Sequence, residues 1–167
     1  MKKFIYMMMV VLSLFALSGC SSTIDNYDGL IEKAREEIPL ADIENMDVQI
    51  AGTTDVDGSS LIWFVTGNEY QKHSYFPIEF EIIGEHSDKY RFVKTYKAYE
   101  REQDIAVYPW NGYSFVINND KCAKIILTFE DGSVEELEIA GQLPIVCSTA
   151  LTPKSYIFVD RNGDEIG

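Results

Sequence analysis

At Met46 the apolar residues of this 167-residue chain stop recurring with a helical period and begin to alternate. That change constrains the fold most, because a period of two places successive side chains on opposite faces of a strand and cannot serve a helix. Residues 47–51 alternate, 61–65 (Leu-Ile-Trp-Phe-Val) form a compact apolar run, and Asp55-Val56-Asp57-Gly58 separates them as a turn. Residues 76–82 put Ile78, Phe80 and Ile82 on one face and Glu79 and Glu81 on the other. Across Gly84 to Lys89 the chain returns as 90–96, a hairpin with a longer loop.

Two further hairpins allow register to be argued. Residues 105–108 and 114–117 flank Trp110-Asn111-Gly112-Tyr113, and Asn-Gly favours a two-residue turn with positive φ at both central positions. That register sets Trp110 opposite Tyr113 and Tyr108 opposite Phe115. For 123–129 and 133–139 a two-residue Asp131-Gly132 loop would place Ile125 against Glu138. A three-residue loop, Glu130-Asp131-Gly132 with Gly132 left-handed, instead pairs Ile125 with Leu137, Ala123 with Ile139 and Lys124 with Glu138. The three-residue loop satisfies the pattern. Residues 156–159, turning through Asp160-Arg161-Asn162-Gly163-Asp164 to Glu165-Ile166, close the series. About eight to ten short strands with Gly-containing turns indicate a mainly β fold, an antiparallel β-sandwich or open barrel.

One helix precedes the strands. Ile24, Tyr27, Ile31, Ala34 and Ile38 form an amphipathic stripe, Asp25 or Asn26 can cap it, Lys33 and Glu37 stand one turn apart, and Pro39 stops it. The stripe suits a helix covering one face of a sheet.

Ahead of the helix lie Lys2 and Lys3, an uncharged, apolar run over 4–17 interrupted only by Ser13, and small residues, the three regions of a secretory signal. Fourteen residues at about 1.5 Å each reach roughly 21 Å, short of the roughly 30 Å hydrocarbon core. Leu17-Ser18-Gly19-Cys20 resembles the lipobox of bacterial lipoproteins. The resemblance covers the first twenty residues and implies diacylglyceryl transfer to the Cys20 thiol and cleavage between Gly19 and Cys20. The expected organisation is a signal peptide over 1–19, a lipidated cysteine with a short tether over 20–24, and one extracytoplasmic domain over 25–167. The anchor would hold it on the outer side of the cytoplasmic membrane, or on the outer membrane of a Gram-negative host.

Composition, 46% hydrophobic and 13% aromatic, supports a packed domain rather than disorder. Formal charge is −13, and loss of Lys2 and Lys3 with the signal makes it −15. Such a surface is repelled by phosphate backbones and anionic headgroups, which argues against nucleic acid and leaves membrane attachment to the lipid. With Cys20 acylated, Cys122 and Cys147 remain. An even remainder in an exported chain suggests one disulfide, whose loop of about 26 residues would stabilise by about 3.5 kcal/mol; two buried free thiols are the alternative.

No residue set points to a cofactor or a metal. Cys122, Cys147, His73 and His86 lack zinc-site spacing. Asp55, Asp57 and Ser59, and Asp160, Asn162 and Asp164, alternate as calcium ligands do but depart from the EF-hand pattern, and turn chemistry accounts for them. His73 and His86 lie in turn-like stretches and read as surface histidines rather than catalytic ones. Trp110 and Tyr113 at a hairpin tip are the best candidate binding surface, either as an aromatic platform or as a cross-strand pair. Together these features indicate a non-enzymatic, lipid-anchored envelope protein that binds a partner. A glycan-binding module using Trp110 and Tyr113 is the second reading, and an envelope enzyme the third.

Overall fold

The computed structural model describes residues 23–68, 71–84, 89–101 and 104–166. Among these residues one α-helix, α1 (Tyr27–Glu37), and a 3-10 turn (Ile43–Asn45) precede eleven strands: β1 (Asp47–Val56), β2 (Ser59–Asn68), β3 (Gln71–Ile82), β4 (Tyr90–Thr95), β5 (Tyr99–Arg101), β6 (Ile105–Tyr108), β7 (Tyr113–Ile117), β8 (Lys124–Thr128), β9 (Val134–Glu138), β10 (Ile145–Thr149) and β11 (Ser155–Val159). They form three antiparallel sheets, in the orders β1-β2-β3-β4, β10-β7-β6-β5 and β11-β8-β9. The fold is mainly β and sandwich-like, and no barrel closes among the described residues.

The apolar runs explain the layering. In β2, Ile62 and Phe64 pack toward the helix with Leu30, Ala34 and Ile38, whereas Leu61, Trp63 and Val65 pack toward the second sheet with Ala106, Trp110 and Val116. In β7, Val116 joins that layer, while Phe115 and Ile117 pack with Ile125, Leu127 and Phe158 of the third sheet. The order is therefore helix, first sheet, second sheet, third sheet. A strand buried on both faces needs apolar residues at consecutive positions, which is why 61–65 does not alternate.

Asn26 caps α1, its Oδ1 accepting from the Gly29 N–H at 2.7 Å, and Lys33 meets Glu37 at 2.6 Å. The buried stripe is displaced from the expected one: Leu30 lies in the core and Tyr27 is exposed. The fold begins before the helix, because Ile24 and Tyr90 exchange two backbone hydrogen bonds of 2.8 and 2.7 Å.

The three-residue loop after β8 is present, with Gly132 left-handed (φ 81°), Lys124 opposite Glu138 and Ile125 opposite Leu137. The β6–β7 hairpin differs. Asn111 and Gly112 do have positive φ, 46° and 106°, but Tyr108 pairs with Ser114 and Val107 with Phe115, one residue from the expected register. Pro109 has no N–H for a ladder bond, and burying the Trp110 ring in the core outweighs the tighter turn. A slip of one residue exchanges the faces of all later side chains. Strands β1 and β2 are also longer than expected, joined directly by Asp57-Gly58, both at positive φ (48° and 79°).

Gly112 is a tightly enclosed glycine site. A Cβ there would overlap the Thr149 carbonyl oxygen and lie 2.8 Å from the Ala150 carbonyl carbon, whereas one at Gly132 would meet open space. Gly132→Ala should destabilise by about 1–2 kcal/mol through its left-handed backbone alone, and Gly112→Ala by about 3 kcal/mol or more. Urea unfolding of the two variants checks this, and equal losses would contradict the packing described.

Candidate functional site

The site grows from a proline inside a strand. β3 pairs with β2 along one edge from Gln71 to Glu81, but along its other edge it pairs with β4 only over Ile78–Ile82. The Tyr96 N–H still donates to the Pro77 carbonyl at 2.9 Å, and there the ladder ends because proline has no N–H to return. Tyr75, two residues earlier, turns its backbone to the same edge. Its N–H donates to Glu100 Oε1 at 3.3 Å, so a side chain from β5 occupies the place of a neighbouring strand.

Beside this edge a cleft of about 650 Å³ opens between the end of α1, residues 74–76 of β3 and the connection 95–98. Pro39, Leu40, Phe76 and Tyr96 supply apolar lining, and Glu37, Lys97 and Glu100 supply charge. Thr95 contributes a buried hydroxyl oxygen that has no hydrogen-bond partner. A buried polar atom left unsatisfied carries a desolvation penalty, here as at Ser60 Oγ and Arg91 Nε.

The electrostatics of the walls are set by burial and carboxylates. The Tyr75 side chain is buried between the first and second sheets and its hydroxyl donates to Asp104 Oδ1 at 3.3 Å. Burial above all, with the charges of Asp104 and Glu100 behind it, pushes its ionisation far up, so it remains a neutral donor. The Tyr96 hydroxyl donates to Glu79 and is likewise pushed up, first by burial and then by that carboxylate. The Tyr96 ring lies 4.7 Å from that of Tyr108 and carries the Lys94 ammonium 5.0 Å from its centroid. Half-exposed His73 places Nδ1 3.5 Å from both Asp104 Oδ1 and Asn118 Nδ2. Asp104 itself is left-handed, at φ 54°. Among the described residues, no hydroxyl or thiol is hydrogen-bonded to His73; the Tyr75 hydroxyl reaches the cluster through Asp104.

The other sequence candidates do not converge on this cleft. Trp110 is only 9% exposed and packs between the first and second sheets, while Tyr113 stacks with Phe115 and Tyr156 between the second and third. The two rings thus belong to different core layers and make no exposed platform; the register slip is the cause. The disulfide expected between Cys122 and Cys147 is not formed. Both are free thiols, and Cys122 directs its S–H to the Lys124 carbonyl at 3.8 Å. The Asp160 carboxylate accepts from the backbone amides of Asn162 (2.8 Å) and Asp164 (3.0 Å), the bonding of a turn. Asp57 sits in the β1–β2 turn. Gly19, Cys20 and His86 lie outside the described residues.

The sequence reading passed over Tyr75, Thr95 and Glu100. One signal was available: proline within an alternating run marks an edge strand. Thr95 and Glu100 carried none. Comparison of the chain with family models, curated proteins and solved structures finds no match.

Burial, and secondarily the neighbouring Cys122, pushes the Cys147 thiol up to about 12. At about pH 8 its thiolate fraction should be near 10⁻⁴, so Ellman's reagent should modify Cys147 in the folded protein far more slowly than in urea. Rapid modification of Cys147 without denaturant would contradict this burial.

Proposed function

We propose that the chain is a lipid-anchored protein of the bacterial envelope whose β domain is a non-enzymatic binding module, with the cleft beside β3 as its binding site. The observation that carries the site is the open edge of β3, where the Tyr75 N–H is held by Glu100, beside a cleft lined by apolar side chains together with Glu37, Lys97 and Glu100. The lipobox motif supports the anchor. Ile24 is already paired to Tyr90, so at most about 14 Å of extended chain would separate Cys20 from the fold, and a partner must be reached close to the bilayer. A net charge of −13 supports a protein or small-molecule partner over nucleic acid.

Two measurements test this. Cys20→Ala should release the protein from the membrane fraction and abolish labelling by a fatty-acid analogue; labelling that persists would refute the anchor. A photo-crosslinking residue at Lys97, on the rim of the cleft, should capture a discrete partner in intact cells. The same residue at exposed Glu135 of β9 should not. Equal capture from both positions would remove the cleft from the proposal.

A further inference from the structure

The open edge of β3 has the features of a site for strand addition. Its backbone at 71–76 has no strand partner on the β4 side among the described residues, although on the other side Gln71 and Ser74 to Phe76 pair with β2. The Tyr75 amide, aimed out of that edge, is held by a carboxylate instead of a carbonyl. The facing element, β5, is itself the edge of the second sheet, pairing only with β6. Two strand edges therefore border one cleft, bridged by the Glu100 side chain.

We infer, resting on the cleft's role as the binding site, that its ligand is an extended basic peptide segment of a partner protein, added to β3 as a further strand. An incoming backbone carbonyl would accept from the Tyr75 N–H, displacing Glu100, and main-chain pairing of this kind supplies affinity while side chains supply selectivity. The displaced carboxylate then meets the peptide's cations. Glu100 is freed by the incoming strand, Glu37 beside it is shared with Lys33 (2.6 Å), and the whole chain is acidic, so the complementary segment is basic. Leu40, Phe76 and Tyr96 favour apolar residues at the alternate positions.

The test uses the soluble domain made by Cys20→Ala and a fluorescent peptide of about nine residues that alternates valine and lysine, long enough to span the open edge. It should bind saturably, with Kd on the order of 10⁻⁵ M. N-methylation of its alternate backbone amides, tested in both registers, should weaken binding at least about tenfold in the register that pairs with β3. Replacing its lysines by glutamate should abolish binding. In the protein, Glu37→Gln with Glu100→Gln keeps an acceptor for the Tyr75 N–H while removing both charges, and should weaken binding about tenfold with unchanged circular dichroism.

Absence of saturation by about 1 mM overturns the inference and leaves Glu100 as a guard of the sheet edge. Equal binding by the unmodified peptide and both N-methylated forms also overturns it, since charge attraction alone would then suffice. If crosslinking from Lys97 captures a glycan or a small molecule, the cleft remains the binding site and strand addition falls.

Discussion

Trp63 is fully buried, and its indole nitrogen donates to Ser114 Oγ at 2.7 Å across the boundary between the first and second sheets. Thr54 Oγ1 lies 3.2 Å from the same oxygen. An indole N–H in a dry interior must find an acceptor, and the serine interrupts an otherwise apolar stretch of β7 to supply one. Three consequences follow from that placement. Ser114 must face the first sheet, so Phe115 faces the third. The β6–β7 register is then the one observed, with Ser114 opposite Tyr108. Trp110, brought to the same side, fills the layer between the sheets instead of the solvent-facing tip of a hairpin.

The layered arrangement also creates the cleft. A central strand covered on both faces can leave only its edges for binding, and β3 reaches past the end of β4 because Pro77 halts their pairing. The link from Thr95 to Ala98 then crosses from the first sheet to the second, so that Glu100 arrives beside the edge the link has left open. Tyr75 joins the two regions. Its backbone serves the cleft while its side chain reaches Asp104 in the cluster with His73. Burial, with Asp104 and Glu100 nearby, keeps its phenol uncharged.

Two hairpins show how much was legible in the residues and why legibility stopped. After β8, alternating apolar and acidic residues allow a single loop length to bury Ile125 and Leu137 together, so local pattern and tertiary packing agree. In the β6–β7 hairpin the Asn-Gly dipeptide indicates the turn, and its positive φ values are present, but register depends on Ser114 meeting Trp63, more than fifty positions away in the chain. Strand β10 falls in a stretch with no strong alternation and is ordered by pairing with β7. Cys122 and Cys147 invited a bridge by their number alone, whereas the sulfhydryl of Cys122 is committed to a backbone carbonyl.

The sequence by itself determined the mainly β class, the capped helix and the β8–β9 register, because each is a local consequence of period, turn chemistry or residue order within a short window. Only the tertiary structure decided which aromatics are buried and where a ligand can enter. Those depend on which face of a strand meets another layer, and on Pro77, Thr95 and Glu100 being brought to one edge by a crossing between sheets that no local pattern encodes.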